Sequence, residues 1–256
     1  MLHERIGTLL VPPEPHFRWR GGEITRLESF TDAVFAFAVT LLVVSLEVPH
    51  TFAELVAAMK GFVAFALCFL ILMQTWYFHY KFSRRYGLQT VYTIFLTAVL
   101  IFVVLFYVYP LKFMFTLAVG GLSGGTTVPR EQLNRMVQTT REISILWLIY
   151  CAGAIAVYGL LALLYQYAYK KRDQLELNAY EALCTHNAVI NFAGFAAIGV
   201  IVAIAAVTLP SPYAGYAGIL FSLNGIWGWL AGVTQGKQER LVLERMKSAT
   251  SAQAGR

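Results

Sequence analysis

From Ala182 to Gly236 the chain runs for 55 residues without one Asp, Glu, Lys or Arg. A helix crossing a hydrocarbon core needs about 20 apolar residues, so this run is too long for one crossing and long enough for two. Leu209-Pro210-Ser211-Pro212 breaks it, because proline removes a backbone bond and clashes with the preceding turn. Two spans are predicted here, roughly 184–208 and 213–235. The whole chain is 58% hydrophobic and 13% charged, about half the charge of a soluble domain. It reads as a polytopic membrane protein of one domain, since no hydrophilic block is long enough to fold alone.

The same arithmetic finds four earlier spans, about 27–48, 56–80, 88–110 and 143–169. The first is to exit at Glu47, Pro49 and His50. The second ends in an aromatic belt, TWYFHY, followed by Lys81, Arg84 and Arg85. The third is to close at Tyr109-Pro110. A glycine-rich connector follows, with a short surface helix expected after Pro129. Residues 1–25 read as a polar arm with no apolar signal-peptide core, and Phe17 and Trp19 suit the membrane interface. In the sixth span Gly228 and Gly232 stand at GxxxG spacing, which lets helices approach closely. Beyond it, 237–256 reads as a charged amphipathic tail, disordered in composition near SATSAQAGR.

Six spans put both termini on one side. Fifteen of the 20 Lys and Arg fall on that side, in the arm, the 2–3 and 4–5 loops and the tail. The other five are Lys60, Lys112, Arg130, Arg135 and Arg141. By the positive-inside rule both termini are cytoplasmic, in the cell membrane. The net charge of +6 is therefore loop charge beside apolar segments, and it does not indicate a nucleic-acid partner. Cys68, Cys151 and Cys184 have no C-x-x-C spacing, so neither a disulfide framework nor a metal site is indicated.

Several polar residues fall at one depth under this topology: Asp32 in span 1, His79 in span 2, Thr93 and Thr97 in span 3, and His186, Asn187 and Asn191 in span 5. Polar groups in a bilayer pair with one another or with water. A network is expected in which Asp32 accepts bonds from some of Arg26, His79 and His186. It either locks helix packing or, if Asp32 changes partners, gates. No H-E-x-x-H, G-x-S-x-G or phosphate loop is present, and outside Asp32 the spans carry no acid for proton coupling. No enzyme, pump or cofactor is expected; a channel or a scaffold is left.

The first span reads RLESFTDAVFAFAVTLLVVSLEVP. Phe37, Thr40, Leu41 and Val44 follow i, i+3, i+4, i+7 and lie on one stripe. Because the helix is apolar all round, periodicity alone leaves ordinary helix packing open for that stripe.

This stretch resembles the first span of the transmembrane protein 175 family of potassium channels, particularly its short prokaryotic members. The family signature is an arginine, three residues, then Phe-Ser-Asp; here it is Arg26, Phe30, Thr31 and Asp32, with threonine keeping the hydroxyl of serine. AVTLL, the closing Leu-Glu-Val-Pro, Trp76, His79, Arg84 and Tyr109-Pro110 are also similar, while the carboxy-terminal half matches only in hydropathy. The resemblance implies an all-α homotetramer of six-helix subunits that conducts potassium, with span 1 of each lining a central pore. Its partners are its own copies, the bilayer and monovalent cations. It implies apolar constrictions at Phe37, Leu41 and Val44 with a hydroxyl layer at Thr40, in place of a carbonyl filter such as TVGYG, which this chain lacks. Phe37 stands where the family usually has isoleucine or leucine. A proton-conducting or weakly selective channel of the same fold, and a non-conducting scaffold, are the alternatives.

Overall fold

The computed structural model describes residues 16–44, 49–209 and 211–254, and among them there are helices and turns but no strand. Helix α1 is Arg26–Val44, α2 is Phe52–Lys60 and α3 is Phe62–Tyr86. Helix α4 is Val91–Leu122, the short α5 is Arg130–Met136 and α6 is Thr140–Lys170. Helix α7 is Ala179–Thr208, a 3-10 segment covers Ser211–Ser222, and α8 is Leu223–Ala254. Among the described residues α3, α4, α6, α7 and the stretch Ala217–Ser248 are long and apolar enough to cross a membrane. Helix α1 has 19 residues and stops where the described residues stop, so its expected exit at Glu47 lies outside them.

The helix starts follow from local chemistry. Thr25 and Glu28 cap each other's backbone at the start of α1, with bonds of 3.1 and 2.8 Å. Thr90 with Thr93, Thr139 with Glu142, and Asn178 with Glu181 do the same for α4, α6 and α7. Each box satisfies two backbone donors that a helix end otherwise leaves open. The surface helix expected after Pro129 is α5.

Two ends differ from expectation. Helix α4 does not close at Pro110 but runs twelve residues beyond it, to Leu122. Proline removes one bond, whereas leaving the helix among apolar residues would strand many backbone groups in lipid. Helix α8 likewise continues past Gly236 to Ala254, so the expected tail is helical as far as it is described. Its charged part, KQERLVLERMK, consists mostly of good helix formers.

Helices α6 and α7 form the most extensive pair, and α1 packs on α4 and α3. The main core joins Phe35, Ala38 and Leu42 of α1 to Leu100 and Val104 of α4 and Leu161 and Leu164 of α6. A smaller cluster of Cys151, Ile198, Val202, Ala206 and Ala217 ties α6, α7 and the 3-10 segment. The predicted close approach at Gly228 and Gly232 is not used. A Cβ at Gly232 would meet nothing within 4 Å, and at Gly228 only the Phe195 ring at 3.8 Å. The tight contact is at Gly194 of α7, where a Cβ would collide with the Trp227 indole.

Candidate functional site

The capping box at Thr25 starts α1 at a fixed place, and its residues then divide into two faces. Thr31, Phe35, Ala38 and Leu42 are buried, at i, i+4, i+7 and i+11, against α3 and α4. Ala33, Ala36, Phe37, Thr40 and Val43 are open, Phe37 at 55% exposure. Hydropathy could not have separated these faces, because both are apolar. The predicted stripe is thus split: Phe37 and Thr40 are on the open face, while Leu41 is half-buried against the core. The side chain of Val44 lies outside the described residues.

The hydroxyls of α1 bond within their own helix. Thr31 Oγ1 donates to the Leu27 carbonyl at 2.7 Å, which is how a buried threonine replaces serine in the signature without an unpaired group. Thr40 Oγ1 donates to the Phe37 carbonyl at 2.7 Å. With its proton committed inward, the Thr40 oxygen has lone pairs left for whatever faces the open side.

The expected network is corrected by the geometry. Asp32 Oδ1 accepts from Trp76 Nε1 of α3 at 2.7 Å, and among the described residues it takes no bond from Arg26, His79 or His186. His79 is buried, with Nε2 3.1 Å from Thr97 Oγ1 of α4. His186 is exposed and packs on the Tyr169 ring at 5.2 Å. Arg26 and Phe30 are exposed at the start of α1. The physical reason is reach. Trp76 has one N–H, needs one acceptor, and stands on the α3 face beside α1, whereas His79 points one turn on, toward α4. Trp76, expected among the motif and network residues as well as in the aromatic belt, is the member that reaches Asp32.

A second constellation was missed altogether. Residues 16–25, expected as part of a polar arm, form a strap across one end of the helix bundle, beside the start of α1 and the end of α3. Phe17 is buried in the core, edge-on to Tyr86 at 5.9 Å and under the Arg85 guanidinium at 4.4 Å. Arg20 forks onto Glu181 with bonds of 2.6 and 3.2 Å and also donates to the carbonyls of Leu175, Glu176 and Arg18. Glu181 is 1% exposed and also accepts from the Arg18 N–H at 2.7 Å. Arg84 donates to the carbonyls of Gly21 and Gly22, and the Gly21 N–H returns a bond to the Arg84 carbonyl at 3.0 Å. The strap therefore fixes the entry to α1 against the 2–3 and 4–5 connections. The sequence signal was the N-x-x-E capping box at Asn178, which marks Glu181 as a helix-start acid with a second oxygen to satisfy.

Among the described residues no group of three or more His, Cys, Asp or Glu could hold a metal ion. The site is thus an apolar helix, α1, anchored at its amino-terminal end with one face uncovered by the rest of the chain.

Known proteins share this layout. A family model described as endosomal/lysosomal potassium channel TMEM175 matches residues 26–110, from the first residue of α1 to the proline inside α4. A curated protein of Marivirga tractuosa named "Potassium channel" is 39% identical over 190 residues, which cover 73% of this chain and 76% of that protein. The crystal structure of the potassium channel MtTMEM175 T38A variant, in complex with a nanobody–MBP fusion protein, superposes with a TM-score of 0.71 at 34% identity, covering 93% of this chain and 99% of that one. The likeness thus extends through α6, α7 and α8, well beyond hydropathy. The chain belongs to the TMEM175 potassium channel family.

Proposed function

We propose that this chain is a potassium-permeable cation channel of the cell membrane, assembled as a homotetramer with both termini cytoplasmic and with α1 of each copy around the central pore. One observation carries the reading: the open face of α1 is uncovered by its own subunit although α1 is wedged into the core on the other side. An apolar face of this kind meets lipid, a second copy or a pore. Thr40 is the polar member of that face, and Ala33 and Ala36 permit close approach of another helix.

In this arrangement four Phe37 rings narrow the axis and exclude water, so that ions pass only when the neck widens. Half-buried Leu41 backs that ring, and Val44 adds a further apolar level toward the outer side. Thr40 presents hydroxyl oxygens to a dehydrating cation. The Asp32–Trp76 bond and the strap hold the cytoplasmic end of α1 at a set tilt. Potassium is the permeant ion and no cofactor takes part.

The test is ion flux in proteoliposomes containing the full chain. A potassium gradient is expected to drive flux, with sodium disfavoured. Flux that follows a pH gradient alone would establish the proton-conducting alternative, and silent vesicles holding verified tetramers would establish a scaffold.

A further inference from the structure

At the end of the bundle away from the strap, a cavity of about 570 Å³ lies between α4, α5, α6 and the 3-10 segment. That volume is in the range of roughly 300–1,000 Å³ typical of ligand sites. It exists because α4 continues past Pro110 and stands beside the start of α6. The chain then turns back at Gly124 and Gly125, whose φ of 63° and 89° suit glycine and strain other residues. This turn lays α5 over the gap. Two further glycines set the wall spacing. A Cβ at Gly120 of α4 would collide with a Leu133 methyl of α5, and one at Gly218 would collide with the Trp147 ring of α6. Leu133 therefore seats α5 on α4, and Trp147, stacked on Phe221 at 5.8 Å, seats the 3-10 segment on α6. Between these two contacts the space is left open, whereas protein interiors normally close such voids.

The chemistry of the lining selects what fits. Met114 and Leu117 of α4 and Ile143 and Leu146 of α6 supply hydrocarbon, and no lining residue is charged. The polar side chains at the wall are the Asn134 amide of α5 and the Trp147 indole. Asn134 is exposed, and its amide offers both a donor and an acceptor. An ion entering here would lose its water against walls that hold no countercharge. An uncharged molecule with one hydrogen-bonding group would exchange water for Asn134 and bury the rest of its surface. The rim is apolar as well, with Leu122 90% and Ile219 63% exposed. Both α4 and α6 are long and apolar enough to cross a membrane, so the cavity is continuous with the surface that meets lipid.

We propose that this cavity is a binding site for an uncharged single-chain amphiphile that enters from the bilayer. Its hydrocarbon chain lies between Met114, Leu117, Ile143 and Leu146, and its hydroxyl meets the Asn134 amide. The apolar walls supply the affinity, and the absence of a charged lining residue excludes the corresponding fatty-acid anion.

The experiment labels the full chain in proteoliposomes with a diazirine-bearing octanol and maps the adducts by peptide mass spectrometry. Wild type is expected to show saturable adducts in the peptides of Leu117, Leu133 and Ile143. Excess 1-octanol is expected to displace them several-fold, and octanoate at neutral pH to displace them far less. Gly121→Leu puts a side chain into open space at the cavity wall and replaces glycine with a better helix former. It is expected to lower this labelling several-fold without lowering the melting temperature. Asn134→Leu, on the exposed face of α5, is expected to weaken competition by 1-octanol several-fold, and it decides the matter if the Gly121 variant fails to fold. Unsaturable adducts spread equally over the exposed Phe62 and Leu70 of α3 would show partition into the bilayer alone and overturn the proposal. Equal displacement by octanoate, undiminished labelling of folded Gly121→Leu or unchanged competition in Asn134→Leu would each overturn it too. So would a wild type with no adduct in these peptides, leaving a second copy of the chain as the cover of the cavity. The readout is adduct position, so it stands or falls apart from the channel reading.

Discussion

Trp76 donates its indole N–H to the carboxylate of Asp32 at 2.7 Å, joining the carboxy-terminal half of α3 to the amino-terminal half of α1. This is the bond through which the family motif in the first span reaches another helix. Hydrogen bonds to a charged acceptor contribute about 1.5–3 kcal/mol, and exposure of Asp32 in the single subunit moves this one toward the lower bound. Trp76→Phe and Asp32→Ala are each expected to lower thermal stability in detergent and to alter flux, and the double variant to be little worse than either. A coupling of about 1 kcal/mol in that cycle is expected. Strict additivity would show that the two residues act independently.

The two faces of α1 are expected to respond in opposite ways. Phe37→Ala on the open face should raise potassium flux several-fold and cost little stability, since that ring is 55% exposed in the subunit. Leu42→Ala on the buried face should destabilise by about 2–5 kcal/mol through the cavity it leaves. Flux from both variants beside their melting curves distinguishes a pore face from a packing face.

Thr40→Val keeps the shape of the side chain and removes its oxygen. If that oxygen helps replace water around the ion, the ratio of potassium to sodium flux should fall while assembly is kept. Bi-ionic flux measurements read this directly, and an unchanged ratio would remove Thr40 from the conduction path.

Arg20 and Glu181 meet with side chains 12% and 1% exposed. Removing one partner of such a pair leaves a buried charge and typically costs about 3–5 kcal/mol. Arg20→Ala should therefore lower the melting temperature steeply. Arg20→Met with Glu181→Leu should recover much of the loss, because no uncompensated charge is left. If that double variant is stable but its flux is altered, the strap also sets the tilt of α1.

Gly194 and Gly232 look alike in sequence, each a glycine in an apolar helix. Gly194→Ala would push a methyl group into the Trp227 ring, and overpacking of this kind costs about 1–3 kcal/mol. Gly232→Ala should be neutral or slightly stabilising, since nothing lies within 4 Å of its Cβ. Melting temperatures of the two variants check the contrast.

Much of the architecture was legible in one dimension. Charge-free runs of about 20 residues mark spans because a bilayer admits few alternatives, and helix starts at Thr25, Thr90, Thr139 and Asn178 follow from local capping chemistry. Ends were less legible: Pro110 and the charges after Gly236 read as stops, yet both helices continue, because in lipid the cost of leaving a helix exceeds the cost of one imperfect turn. The pairing of side chains was the least legible. Asp32 needed a partner from another helix, which composition could state, but whether Trp76 or His79 would supply it depended on how α3 is rotated against α1.

By itself, then, the sequence determined that the chain is an all-helical membrane protein with several apolar crossings, the charge asymmetry of its loops and the family signature at Arg26, Phe30, Thr31 and Asp32, since these follow from solvent and from local backbone chemistry. Only the tertiary structure decided which face of α1 is covered, that residues 16–25 lie as a strap on Glu181, and that Gly228 and Gly232 of α8 make no tight helix contact. The reason is that every face of these helices is apolar, so hydropathy carries no information about rotation; rotation is set by long-range packing, which a linear pattern does not encode.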